Sequence, residues 1–263
     1  MKKILITGAN SYIGMSFEKY MQQYAEEYQV DTIDMIDGSW RERDFSCYDV
    51  VYHVAGIAHQ KETKKNAGLY YKINKDLAIE VAQKAKKEGV SQFVFLSSMS
   101  VYGKDTGVIT ETTQPAPKSN YGKSKLQAEK GLEELLSDNF IVAILRPPMV
   151  YGEGCKGNYQ TLVKIAKKAP FFADYKNERS MIHIDNLSGF IKAIIDDKKS
   201  GVYLPQDPQY VCTCRMIQDI AASNGKTLRL TKVLNPVIWL IKVFTRKGKK
   251  AFGNLTYVKE LGE

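Results

Sequence analysis

Short, almost wholly apolar runs alternate with segments of helical periodicity along the first 150 residues of this 263-residue chain, and no other feature limits its fold as tightly. Lys2 to Thr7, Val30 to Asp34, Tyr48 to Ala55, Phe93 to Leu96 and Ile141 to Leu145 read as strands. Helical patterns fill the gaps: one from the first turn to about Tyr28, one from Asn74 to Glu88 and one from Tyr121 to about Leu136. In the second, Leu77, Ala78, Val81, Ala82 and Ala85 fall on one face. Strands apolar on both faces belong to a parallel sheet covered by helices on each side. Right-handed crossovers then make the expected fold a doubly wound α/β sheet. Past residue 150 the pattern loosens into mixed Pro, Gly and aromatic residues. The expectation is a main domain over 1–150, with sheet elements returning around 180–205, and a small C-terminal lobe carrying a basic end over 151–263.

The first strand runs into Thr7-Gly8-x-x-x-x-x-Gly14 before a helix, the arrangement of a dinucleotide-binding Rossmann turn. Gly8 permits the tight turn and Gly14 close helix packing, while the helix N-terminus offers N–H groups to a pyrophosphate. Ser11 stands where a middle glycine would allow the closest backbone approach. Asn10, Ser11, Tyr12 and Ile13, between the glycines, are the expected cofactor-contacting positions. Asp34 follows Gly14 by 20 residues, where a carboxylate accepts hydrogen bonds from ribose hydroxyls. A carboxylate there repels a 2′-phosphate and favours NAD, although nearby Asp37 and Arg41 leave NADP open. A plain strand-end cap is the other reading of Asp34.

Tyr121-Gly-Lys-Ser-Lys125 opens a helix, so Lys125 stands one turn above Tyr121 on the same face. A neighbouring ammonium and a nicotinamide cation would favour phenolate and let Tyr121 exchange a proton near neutral pH. Ser98, at a strand end, is placed to hydrogen-bond the same substrate oxygen. Ser98, Tyr121 and Lys125 are the candidate catalytic residues.

Thr7-Gly8…Gly14, His53-Val-Ala-Gly56, Asn74, Ser97-Ser98-Met-Ser100-Val-Tyr102-Gly103, Tyr121-x-x-x-Lys125, Arg146-Pro147 and Arg179-Ser-Met-Ile-His183-Ile-Asp185-Asn-Leu fall in order. Over about residues 1–205 this series resembles the NAD-dependent epimerase/dehydratase family of extended short-chain dehydrogenase/reductases, typified by UDP-glucose 4-epimerase. The resemblance implies that Ser98 and Tyr121 activate a hydroxyl and that Lys125 also binds the nicotinamide ribose. It implies that Val54, Ala55 and Gly56 line the cofactor, that Asn74 supports the site and that the backbone near Pro147 meets the carboxamide. Ser100 joins the substrate-binding positions, and Asn158 and Arg179 are where the family grips the nucleotide diphosphate, a task suited to a guanidinium fork. A surface ion pair is the plainer reading of Arg179. In the family's 4,6-dehydratases an acidic pair follows the catalytic hydroxyl residue. Here Met99 and Ser100 stand there, which argues against dehydration. The family's helices corresponding to 74–88 and 121–136 pair across a dimer axis, which implies a homodimer.

The remaining composition excludes more than it assigns. Cys47, Cys155, Cys212 and Cys214, with His53, His59 and His183, match no metal-site spacing, so no metal is expected. The apolar stretch after Met1-Lys2-Lys3 is too short for a signal core, so the expected location is cytoplasmic. Net charge is +9, but nine basic residues against two acidic ones from Lys226 onward account for seven of it. That is a tail property without a nucleic-acid motif, and no nucleic acid is expected. Pro236 to Phe244 is apolar and Arg246, Lys247, Lys249 and Lys250 follow. The segment 236–250 could pack on the lobe, meet a partner or lie weakly on an anionic membrane surface.

Three functions follow. The first is a sugar-nucleotide 4-epimerase with tightly held NAD, acting on a UDP-sugar for surface polysaccharide. The second is an NAD(P)H-dependent 4-keto-sugar reductase, and the third a non-catalytic dinucleotide-binding sensor or scaffold. An intact Ser98, Tyr121 and Lys125 argue against the third.

Overall fold

The central strands are buried on both faces, as a parallel sheet covered by helices requires. Six parallel strands lie in the order Gly201–Tyr203, Ile141–Leu145, Gln92–Leu96, Val50–His53, Lys2–Thr7 and Tyr28–Ile33. The computed structural model describes residues 1–58, 60, 62–63, 65–155 and 157–259, without the side chains of Asn158, Arg246 and Lys247; His59 is outside it.

Leu5, Val51, Phe93, Phe95, Val142 and Ile144 project to one face of the sheet. There they meet Ala78, Val81, Ala82 and Ala85 of one helix and Ala128 and Leu132 of another. On the opposite face Phe17 packs edge-on against Tyr52 at 5.2 Å, and the helix Ile184–Asp196 buries Leu187, Ile191, Ile194 and Ile195. This is the doubly wound α/β fold.

Several element ends differ from the sequence reading. The first helix covers only Tyr12–Met21 before a short 3-10 turn, and the second strand starts at Tyr28, so Asp34 lies just beyond it. The helix expected from Asn74 begins at Ala67 and passes through a π turn at Lys72–Asp76. Residues 35–49 hold a 3-10 turn and loop, with Trp40, Phe45 and Tyr48 buried in the same cluster as Ala78, Val81 and Leu132.

The chain forms two units. The first comprises Met1–Gly103, Pro115–Pro147 and Ile184–Pro205; the second comprises Lys104–Gln114, Pro148–His183 and Gln206–Glu263. Lys104–Gln114 belongs to the second because Gly107–Ile109 pairs in parallel with Leu255–Tyr257. Two further parallel pairs, Met149–Tyr151 with Met181–His183 and Phe171–Ala173 with Arg229–Thr231, complete its strands. Its core is built by Leu162 and Ala166 of the helix Asn158–Lys168 and by Met216, Ile217 and Ile220 of the helix Thr213–Ser223.

Candidate active site

The chain leaves the first strand, crosses to one sheet edge, and returns on the first strand's other side. That reversal opens a crevice at the carboxyl ends of Lys2–Thr7 and Val50–His53. The backbones are laced together there: Val54 and Ala55 donate to the Thr7 carbonyl at 3.1 and 2.9 Å, and Gly8 and Ala9 to the Ile33 carbonyl. Gly8 has φ +103, and a β carbon on it would lie 2.8 Å from the Ala55 nitrogen. No other residue type fits that turn without displacing backbone. A β carbon on Gly14 would meet the Ser11 hydroxyl at 2.6 Å and Val54 at 3.1 Å. Ser11 is the helix N-cap, its hydroxyl accepting from the Gly14 N–H at 3.1 Å. Asn10 is exposed with φ +66, and Tyr12 and Ile13 open the helix. Closely packed backbone therefore lines the crevice at Gly8, Val54 and Ala55. Asp34 sits beside it, half-buried, with one carboxylate oxygen accepting from the Ile36 N–H at 2.8 Å.

Asn74 shapes the other wall. It is fully buried in the π turn, and its amide clamps residue 57 from both sides. Its Oδ1 accepts from the Ile57 N–H at 2.8 Å, and its Nδ2 donates to the Ile57 carbonyl at 3.1 Å and to Ser124 at 3.2 Å. A β carbon on Gly56 would lie 2.9 Å from Asn74 Oδ1 and 3.4 Å from Lys125 Nζ. The π turn is what rotates Asn74 inward, a distortion common at functional sites.

The helix Asn120–Glu133 carries Tyr121 and Lys125 and is capped by Ser119, whose hydroxyl accepts from Gly122 N–H at 3.1 Å. The three candidate catalytic side chains lie in the first unit, and the Ser98 hydroxyl lies near enough to the Tyr121 phenol to favour its ionised form. Ser98 also accepts from the Ser100 N–H at 3.1 Å, which caps the 3-10 turn Met99–Tyr102; Ser100 itself is exposed. Met99 N–H donates to the Pro147 carbonyl at 2.9 Å, tying two strand ends together.

Burial dominates the charge states of the site. Burial raises the Tyr121 phenol above the usual tyrosine value, Ser98 opposes this and Tyr70 adds to it. The Lys125 ammonium is only 3% exposed, donates to the Leu96 carbonyl at 2.8 Å and lies over the Phe95 ring at 4.6 Å. Burial pulls it down to about 8, partly opposed by Glu129. Nearby His53 donates or accepts at Nδ1 with Thr7 at 2.7 Å, and burial and then Lys125 lower it to about 3, so it is neutral.

Two carboxylates escaped the sequence reading. Glu129, 1% exposed, receives two hydrogen bonds from Arg146 at 3.1 and 2.6 Å and one from Ser97, while Arg146 also donates to the Tyr102 hydroxyl at 2.9 Å. This network joins the residue before Ser98, the residue before Pro147 and the helix turn after Lys125. Its signal was present: Glu129 follows Lys125 by one turn on the same helix face. Glu62, in a loop, accepts from the Tyr121 and Asn120 N–H groups at 3.1 Å each, and no local pattern announces it.

The substrate-binding candidates Asn158 and Arg179 belong to the second unit. Asn158 opens the helix Asn158–Lys168, and its side chain lies outside the described residues. Arg179 is half-buried, donates to the Gly253 carbonyl at 2.9 Å, and has its basicity reduced by burial against an opposing effect of Asp105. Among the described residues no three His, Cys, Asp or Glu side chains cluster as a metal site, and all four cysteines are free thiols.

A profile of the NAD dependent epimerase/dehydratase family matches residues 4–204. The chain belongs to this family. UDP-glucose 4-epimerase of Vibrio cholerae is 32% identical over 99% of this chain and 85% of its own length. Among solved structures, a UDP-Glc/GlcNAc 4-epimerase from Campylobacter jejuni has a TM-score of 0.73 at 19% identity, covering 99% of this chain and 92% of that one. A dTDP-4-dehydrorhamnose reductase from Yersinia enterocolitica has a TM-score of 0.72 at 20% identity, covering 98% and 91%. The enzyme is accordingly an NAD-dependent member of the extended short-chain dehydrogenase/reductases.

Proposed function

We propose that the enzyme is a sugar-nucleotide 4-epimerase working in the cytoplasm on a UDP-sugar destined for surface polysaccharide. The observation that carries the reading is Tyr121 standing one helical turn from a desolvated Lys125, with Ser98 near enough to act on its phenol. The whole-length likeness to a UDP-glucose 4-epimerase supports this choice within the family.

NAD would be held in the Gly8–Gly14 crevice beside Asp34 and would supply reversible two-electron oxidation at the sugar's C4. The protein's own groups supply the rest. Tyr121 takes the C4 hydroxyl proton and later returns it, while Ser98 holds the same oxygen in line. Lys125, shielded from water, stabilises the phenolate and binds the nicotinamide ribose. Val54, Ala55, Gly56 and Pro147 line the cofactor, and Asn74 holds the Gly56–Ile57 backbone against it. In the second unit Arg179 and Asn158 grip the diphosphate, with Ser100 on the sugar side. The first unit is thus the cofactor domain and the second the substrate lobe. The functional species is a homodimer.

A reductase is the second reading, favoured by the equal fold likeness to a 4-dehydrorhamnose reductase. Absorbance and fluorescence of the purified protein separate the two. An epimerase keeps its cofactor through purification and interconverts UDP-sugars, followed by NMR, without added NADH. A protein that turns over only with stoichiometric NAD(P)H overturns the epimerase assignment.

A further inference from the structure

Only one residue of the helix Asn235–Phe244, Ile238, is buried; it packs on Ala173 and Phe252. The rest of its apolar surface faces outward, with Trp239 55% and Phe244 76% exposed. Val237, Leu240, Ile241 and Phe244 recur at spacings of three and four, so they share one exposed face, which Val243 and Trp239 widen. The helix's single charged residue, Lys242, is turned away from that face. It donates to the Tyr175 hydroxyl at 2.7 Å and lies over the Tyr175 ring. Isolated exposed apolar residues need no explanation, but a contiguous face does.

The surrounding charge identifies the occupant. No Asp or Glu occurs from Ile220 to Lys259, a stretch that carries nine Lys and Arg. Lys232 before the helix and Lys249 and Lys250 after it are exposed, and the Asp105 carboxylate lies 3.8 Å from the Lys250 ammonium. A second copy of the chain on this face would set one cationic cluster against another. An anionic bilayer suits both features at once: the apolar face enters the acyl boundary while the lysines meet lipid phosphates. We infer that the segment 232–250 docks the enzyme on the surface of an anionic membrane, with the Val237, Leu240, Ile241 and Phe244 face downward. Among the described residues no helix is long and apolar enough to cross a membrane, so the association is peripheral.

Trp239 reports directly, because the other tryptophan, Trp40, is buried. The full-length protein is titrated with vesicles of phosphatidylcholine plus phosphatidylglycerol and with vesicles of phosphatidylcholine alone. Anionic vesicles should shift the emission to the blue and co-sediment the protein, and added salt should weaken both effects. Leu240→Ser with Phe244→Ser should abolish binding, and Lys249→Ser with Lys250→Ser should weaken it by about tenfold or more. Unchanged emission and no co-sedimentation of a protein with a cooperative thermal transition would overturn the inference. Equal, salt-insensitive binding to both vesicles would also overturn it. So would the absence of vesicle binding together with an oligomer that the Leu240→Ser, Phe244→Ser pair dissociates, since that assigns the face to a second copy.

Discussion

The helix Asn120–Glu133 buries charge, whereas the helix Asn235–Phe244 exposes apolar surface. In the first, Lys125 and Glu129 lie among the apolar residues of the main core, and every charged head has a partner: the Leu96 carbonyl for one, Arg146 and Ser97 for the other. In the second, six large apolar side chains face outward and the one lysine is folded back onto Tyr175. Burying an ion is costly unless it is paired. The first arrangement persists because packing and pairing hold reactive groups at one place, where a water-free lysine acts strongly on its neighbours. The second exposes surface that its own lobe does not cover. Desolvation tunes chemistry in one region, and incomplete desolvation leaves a docking face in the other.

The comparison can be broken most severely at Tyr121. Tyr121→Phe removes the proton acceptor and should lower kcat by about 10²- to 10⁴-fold, with cofactor affinity by fluorescence titration nearly unchanged. Retained turnover would remove the phenol from its assigned role. Next in size, Glu129→Ala strands the Arg146 guanidinium in the core and should cost about 3–5 kcal/mol in urea denaturation. A loss below about 1 kcal/mol would mean that the pair is solvated in solution.

Gly8→Ala forces a β carbon against the Ala55 backbone at positive φ. It should cost about 1–3 kcal/mol of stability and weaken NAD binding, read by calorimetry; unaltered binding would sever the crevice from the cofactor. The pH dependence of Lys125 has a definite sign. Its folded value of about 8 lies below the usual 10.5, so between them the unfolded chain binds the extra proton and stability should rise with pH across that window. Activity should fall over the same range as the ammonium is lost. Lys125→Met should abolish both pH effects, and a stability that declines from pH 8 to 10 would contradict the burial. The smallest effect belongs to the other helix: Leu240→Ser with Phe244→Ser should change folding stability by no more than about 0.5 kcal/mol per site. A loss of several kcal/mol would show that the face is packed after all.

Much of the site was legible because it is local. The Gly8–Gly14 turn, the one-turn spacing of Tyr121 and Lys125, and strand ends at Thr7, Leu96 and Leu145 follow from side-chain periodicity and turn chemistry. Asn74 was legible as a motif position but not as a clamp, since the π turn that rotates it inward has no local signature. Glu62 reaches the Tyr121 helix from a distant loop, and Gly107–Ile109 joins the second unit only through pairing with Leu255–Tyr257. Such long-range pairings depend on which surfaces meet, which residue order does not encode locally.

From the sequence alone came the parallel sheet, the family, the glycine turn and the candidate trio Ser98, Tyr121 and Lys125, because hydrophobic period and motif spacing are properties of neighbouring residues. Only the tertiary structure decided the charge states: a tyrosine raised by burial, a lysine drawn to about 8 and a neutral histidine. Ionisation answers to the solvent a group has lost and to the partners it has gained, and both are set by segments far away along the chain.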